Sequence, residues 1–144
     1  MQIIDKDILT VTHGIIGHQV NCQGVMGTGL ALKMRQKWPV VYGEYRKLWQ
    51  QAADVGDTSQ LLGMVQPVRV SETLTVLNLF GQLWYGRGQR HTNYEALKSI
   101  AGKLAERQMI VHLPYGMGCG LGGGNWDVVQ DIFSDIEGYW CKYG

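Results

Sequence analysis

Twice in this chain a run of β-forming residues passes into a glycine-rich loop and then into a helical pattern: "VNCQGVMGTG" at 20–29 and "LPYGMGCGLGGGNW" at 113–126. A loop that gives up its side chains at the start of a helix exposes main-chain N–H groups at the positive end of the helix dipole, where they can converge on an anion. Two loops of this layout suggest one diphosphate gripped from both sides; the competing reading is that the glycines only make tight turns. Glycine makes up 20 of the 144 residues, about twice the usual frequency of ~7%, and the excess clusters at 24–29, 81–88 and 116–124.

Around these loops short β-rich runs alternate with helical patterns, the signature of an α/β sheet with crossovers. Strands are expected at "QII" near the start, at 15–21, 61–70, 74–80 and 109–114, and in "YWCKY" at 139–143. Val41, Tyr45, Leu48 and Ala52 recur at helical spacing, as do Tyr94, Leu97, Ala101 and Leu104, and Trp126, Val129, Phe133 and Ile136. A further helix follows the first loop: Leu30 and Met34 share a face, Lys33, Arg35 and Lys37 sit late where the dipole favours cations, and Pro39 ends it. Thr28 is its expected N-cap, Thr92 and Glu95 have capping-box spacing, and Asn125 can cap the last helix.

The remaining totals exclude more than they select. A chain of 144 residues buries about two-thirds of its unfolded surface, so one domain over 1–144 with an unstapled core is expected. No window has the ~20 apolar residues of a membrane span or the layout of a signal peptide, so a soluble, cytoplasmic protein with no membrane partner is expected. Three widely spaced cysteines, with no C-x-x-C and no histidine at ligand spacing, speak against a disulfide framework or a metal site, and no cofactor is expected. A net charge of +1 without any Lys/Arg-rich run gives no strong nucleic-acid signal, so an anionic partner must be held locally. Oligomeric state is left open.

Named nucleotide motifs do not account for the loops. Gly118-x-Gly120-x-x-Gly123 matches the dinucleotide fingerprint, but the chain ends before the acidic residue that should follow about 20 positions on. Neither a G-x-x-x-x-G-K-[ST] nor a G-x-S-x-G motif is present.

Taken together, "VNCQGVMGTGLAL" at 20–32, "YGMGCGLGGGNWDVV" at 115–129 and the "DIL" of residues 7–9 resemble the macrodomain family, over essentially the whole chain. The similar branch holds DNA-linked ADP-ribose hydrolases, their antitoxin relatives, and bacterial and phage proteins that process ADP-ribose 1''-phosphate. The resemblance implies a three-layer α/β/α fold with a mixed sheet of about six strands and an ADP-ribose cleft along one edge. By the same resemblance Asp7 would accept from the adenine amino group beside the Ile8 backbone, unless it is simply a turn residue. Trp140 or Tyr143 would stack on adenine; strand alternation puts them on opposite faces, so at most one serves. Loop one, with Asn21, Gln23, Gly24, Met26, Gly27, Thr28 and Gly29, would wrap the distal ribose and one phosphate. Loop two, with Gly116, Met117, Gly118, Cys119, Gly120, Leu121 and Gly122, would hold the diphosphate. Met26 and Met117 would wall the cleft or simply pack.

The sequence also departs from the family pattern. Hydrolases of the DNA-adduct branch use a lysine just after the strand equivalent to "LNLF", where an amine attacks the anomeric carbon. Here that place reads Phe80-Gly81-Gln82, and no lysine lies between Lys47 and Lys98. Where some members carry a loop-two carboxylate, this chain has Gly122. The lysine mechanism is therefore not carried over, which weakens removal of ADP-ribose from modified macromolecules. Asn21 stands without the second loop-one asparagine of the protein-adduct branch; it either orients the distal ribose or pins the loop as an Asx turn. In "GQLWYGRGQRHTN" at 81–93, next to the expected distal ribose, His91 can act as a proton donor near neutral pH and Arg87 or Arg90 can pair with a phosphate; each is otherwise a solvated loop residue. His13, His18 and His112 are expected in structural roles. Two functions lead, hydrolysis at the 1'' position, most naturally of ADP-ribose 1''-phosphate, or capture of ADP-ribose or an NAD-derived signal without turnover, with removal of ADP-ribose from modified macromolecules as a weaker third.

Overall fold

The computed structural model describes residues 1–86 and 88–143. Six strands form one sheet in the order β1-β6-β5-β2-β4-β3: β1 Gln2–Asp5, β2 Gly14–Asn21, β3 Val65–Arg69, β4 Leu74–Gln82, β5 Val111–Pro114 and β6 Gly138–Lys142. Neighbours run parallel except the β3–β4 pair, which is antiparallel. The strand expected at 61–70 joins the regular ladder only at Val65, because Thr58–Leu61 coils into a 3-10 turn and Gly63 takes a left-handed φ of 89°, although Gly63 and Met64 both already hydrogen-bond Phe80. Pro67 is tolerated because β3 lies at the sheet edge. The Val70 N–H donates to the Leu74 carbonyl at 3.0 Å, which sets the register so that Pro67 falls at a non-hydrogen-bonded position, its ring nitrogen facing outward.

Period-two alternation in the strands divides the interior into two cores, giving the α/β/α layers. On one face α1 (Gly29–Lys37) and α2 (Pro39–Asp54) cover Ile16 and Val20 of β2, Val68 of β3, and Val76 and Phe80 of β4. On the other, α3 (Tyr94–Glu106) and α4 (Trp126–Ile132) cover Leu77, Leu79, Val111, Leu113 and Trp140. Gly17 lies between them in β2; a Cβ there would come within 2.8 Å of Leu113 Cδ2 on β5, so its absence lets the strands' side chains close over the sheet. Pro39 both stops α1 and opens α2 at its N1 position, where its lacking N–H costs nothing. No helix among the described residues is long and apolar enough to cross a membrane.

The caps differ partly from expectation. Asn125 caps α4, accepting from the N–H groups of Asp127 and Val128. Asn93, not Thr92, caps α3 through the Ala96 N–H, because the Thr92 hydroxyl is engaged elsewhere. Thr28 occupies the N-cap position of α1 but makes no side-chain cap bond.

A polar row crosses the α1/α2 face beneath α2. Gln66, Asn78 and His18 are register partners on β3, β4 and β2. Asn78 Nδ2 donates to the Val41 carbonyl at 3.3 Å and to Gln66 Oε1 at 3.0 Å. The carbonyl fixes the amide's orientation, so Asn78 Oδ1 must accept, and His18 Nε2 donates to it at 2.7 Å. His18 is 1% exposed, and burial lowers its pKa from 6.5 to about 4 against the opposing pull of the Asn78 bond.

The folded chain thus keeps His18 neutral where the unfolded chain protonates it. Stability is complete above pH 6.5, falls as pH drops toward 4, and levels off below that. From this group alone, urea unfolding at pH 5 should give a stability about 2 kcal/mol below that at neutral pH, and His18→Gln should flatten that slope.

Candidate functional site

β5, β2 and β4 are adjacent and parallel, so the segments that follow them leave the same end of the sheet. Loop one (22–28) follows β2, loop two (115–125) follows β5, and a third segment (83–93) follows β4. Between them lies a cleft of about 470 Å³. The end of β2 contributes His18, Gln19, Val20 and Asn21 to its lining, and loop one with the start of α1 contributes Val25, Met26, Gly27, Thr28, Gly29, Leu30 and Ala31. Across from these stand Tyr115, Gly116, Met117, Gly118, Gly120, Leu121 and Gly122, with Gln82, Tyr85 and Gly86 from the third segment. Met26 and Met117 border the cleft while packed in opposite cores.

Among the described residues the cleft is lined by no lysine or arginine. What it offers instead is main chain. The N–H groups of Val25, Met26, Gly27 and Thr28, and of Gly118, Gly120, Leu121 and Gly122, donate to nothing among the described residues. The first-turn N–H groups of α1 have no intrahelical acceptor, and Thr28 leaves them uncapped toward the cleft.

Loop one can leave these amides free because its other polar groups are held from behind. Along α2, Tyr42, Tyr45, Arg46 and Trp49 form one stripe at helical spacing. The Tyr45 hydroxyl accepts from the Gly24 N–H at 3.0 Å, and its single proton goes to Asn21, whose Oδ1 and carbonyl lie at 2.7 and 2.8 Å. Trp49 Nε1 donates to the Cys22 carbonyl at 3.0 Å, and Arg46, its guanidinium over the Trp49 ring, donates to the Gly24 carbonyl at 3.1 Å. Asn21 closes the loop on itself, accepting from the Gln23 N–H at 2.9 Å and donating to the Val25 carbonyl at 3.0 Å. The Asx-turn reading of Asn21 is thus realised, with the residue still on the cleft wall.

Several expected ligand residues lie outside the lining. Gly24 is buried against α2; a Cβ at its φ of 78° would run into Arg46 and Trp49. Gln23 reaches sideways, its amide donating to the Leu83 carbonyl at 2.8 Å. Cys119 turns its thiol to the Met117 carbonyl. Arg90 lies over the Tyr94 ring, 4.3 Å from its centroid. Arg87 lies outside the described residues. His91 is half-buried at the rim; its Nε2 is 4.0 Å from where a Gly86 Cβ would stand, and Gly86 lines the cleft. Asp7 caps the 3-10 turn Ile8–Thr10 through the Leu9 N–H, and Ile8 is buried; both follow β1, two strands along the sheet from β5. Of the two C-terminal aromatics, Trp140 is corrected: it is 2% exposed, with Trp126 and Phe133 packed edge-to-face against it, so its faces are closed to a base. Tyr143, 77% exposed just past β6, keeps an open ring.

Nucleophiles are scarce at the cleft. Cys22 is fully buried, and desolvation pushes its thiol up to about 12, so it is not a thiolate at neutral pH. Gln82 ends β4, its amide N–H donating to the Trp84 carbonyl and its Oε1 accepting from Gln19. Among the lining residues that sequence reasoning missed are His18, Gln19, Val20 and Pro114 on the strands and Leu30, Ala31, Tyr85 and Tyr115 beyond them, and it also missed the supporting stripe on α2. The available signal was the run of polar tips, hydroxyl, guanidinium and indole N–H, beside the apolar face of Val41, Tyr45, Leu48 and Ala52, with which the stripe shares Tyr45.

Comparison of the sequence with protein-family models and with curated proteins finds no match. Solved structures do match. A Streptomyces coelicolor macrodomain protein is 29% identical with a TM-score of 0.75, covering 99% of this chain and 97% of that one. A Bacteroides thetaiotaomicron protein of unknown function is 27% identical with a TM-score of 0.78, over 98% and 96% of the two chains. Thermosipho africanus DarTG in complex with ADP-ribose shares the fold at 18% identity and a TM-score of 0.71, over 95% of this chain and 39% of that one.

The Tyr45 hydroxyl serves two buried partners at once, so Tyr45→Phe strips the Gly24 N–H of its acceptor. Urea unfolding should show a loss of about 1–3 kcal/mol, the cost of orphaning a buried polar group.

Proposed function

Because the chain belongs to the macrodomain family, we propose that residues 1–144 work as one macrodomain that binds ADP-ribose, with the diphosphate lying between loops one and two. The observation that carries this reading is the paired set of free main-chain amides on opposite walls of a cleft lined by no cationic side chain among the described residues. Amides at a helix N-terminus and in glycine loops neutralise phosphate charge without the desolvation cost of an ammonium or guanidinium group. A likeness in fold to a protein solved with ADP-ribose supports the same ligand. Adenine would lie toward β1 and β6, where Asp7 has a carboxylate oxygen to offer its amino group and Tyr143 an open ring.

A second reading adds hydrolysis at the 1'' position, with ADP-ribose 1''-phosphate as the substrate. His91 at the rim beside Gly86 favours it. In that reaction water adds to phosphorus, the bond from phosphorus to O1'' breaks, and His91 gives O1'' its proton, releasing ADP-ribose and inorganic phosphate. Arg90 would reach the phosphate only by leaving the Tyr94 ring. Attack on the anomeric carbon by an amine has no support here, because Gln82 carries an amide.

Calorimetry should detect saturable binding of ADP-ribose; no heat at millimolar ligand overturns the binding reading. Incubation with ADP-ribose 1''-phosphate should then release inorganic phosphate, with His91→Ala suppressing release and leaving ADP-ribose affinity nearly intact. Tight binding without release leaves a non-catalytic capture module.

A further inference from the structure

We propose that Thr92 is a positioning residue that sets the amides of loop two in their ligand-ready arrangement; the inference rests on the ADP-ribose reading for its ligand but not for its geometry. Thr92 lies near the end of the third segment, which forms the rim, is 1% exposed, and is packed against loop two. The Gly118 carbonyl can only accept, so the hydroxyl proton goes to it, at 2.6 Å. The hydroxyl oxygen in turn accepts from Gln19 Nε2 at 2.9 Å. The backbone N–H of Thr92 donates to the Gly122 carbonyl at 3.0 Å, and the His91 N–H shares that acceptor at 2.8 Å.

Holding these two carbonyls has a specific effect. The peptide plane carrying the Gly118 carbonyl and the plane carrying the Gly122 carbonyl are both tied back to one residue. The N–H groups of Gly120, Leu121 and Gly122 belong to the three planes between them, and these are among the unpartnered amides of the cleft. Fixing both ends of so short a segment removes most of the freedom those amides would otherwise lose on binding an anion, and preorganisation of this kind appears as affinity.

The glycines of loop two fit the same account. A Cβ on Gly122 would collide with the Thr92 hydroxyl, and one on Gly118 would come within 3.0 Å of it and 2.9 Å of Gln19 Oε1. One on Gly124 would come within 2.8 Å of the Gly118 carbonyl oxygen, with Thr92 Cγ2 in ordinary contact at 3.4 Å. Thr92, together with the Gly118 carbonyl it holds, occupies the space that side chains at 122 and 124 would need, so a carboxylate at 122 is not accommodated in this loop conformation. The strut continues beneath the cleft, since Gln19 gives its other amide hydrogen to Gln82 Oε1 at 2.8 Å. Loop two, the strand β2 and the rim segment are thereby joined through side-chain hydrogen bonds.

The test compares Thr92→Val, which keeps the shape and removes the hydroxyl, with Thr92→Ser, which keeps the hydroxyl. Calorimetry should give an ADP-ribose Kd weakened about ten-fold in Thr92→Val and within about two-fold of wild type in Thr92→Ser. Hydrogen exchange at Gly120, Leu121 and Gly122 should quicken in Thr92→Val alone. Gln19→Met, which breaks the strut one bond away, should quicken the same amides and serves if Thr92→Val does not fold. Equal affinity and equal exchange in the Val and Ser variants overturn the proposal. Should wild type bind no ADP-ribose, the ligand reading falls separately, and exchange in the free protein decides the positioning role: faster in Val than in Ser retains it, equal rates reject it.

Discussion

A loop that offers its amides to a ligand cannot use them to hold itself in shape, and this constraint governs both sides of the cleft. Backbone groups left without partners cost stability unless water or a ligand satisfies them. A flexible glycine loop, moreover, gains entropy by abandoning any single conformation. The chain answers by anchoring other atoms of each loop. Loop one is fastened through its carbonyls and the Gly24 amide to the aromatic stripe of α2. Loop two is fastened by short turns of its own and by the segment leaving β4. Helices on one side and a strand exit on the other thus perform equivalent tasks.

Electrostatics follows from the same choice. With main chain supplying the positive potential, the interior near the cleft can stay uncharged. His18 is held neutral by desolvation, the Cys22 thiol is pushed up to about 12, and the Tyr45 phenol is raised further by the same burial. The polar row of Gln66, Asn78 and His18 is neutral from end to end. A buried cation here would demand a counter-ion, whereas an amide cradle is charge-free until a ligand arrives.

Much of this was legible in the sequence, and the gaps have physical causes. Strand runs and helical periodicities gave all six strands and all four helices, because each element buries one regular face in one of the two cores. The two glycine loops marked the cleft, since both follow strands that turn out to be parallel neighbours. The cap of α3 was misplaced by one residue because Thr92 and Asn93 both suit the position, and a contact with loop two, distant in sequence, decided between them. Trp140 could be assigned to a strand but not to a layer; only the docking of α4, with Trp126 and Phe133, shows that its ring is spent on packing. Tyr45 read as an apolar core residue, and the polar tips along its helix do not say which segment its hydroxyl organises, here a loop more than 20 residues earlier.

The proline in β3 bears on how this molecule behaves among its own kind. An exposed sheet margin invites a second chain to continue the ladder, the first step toward fibrous assembly. At Pro67 the outward-facing nitrogen has no hydrogen to give, so a strand approaching from solvent finds a gap in the row of donors it would need. A residue far from the cleft thereby makes this margin of the sheet a poor template for a second chain.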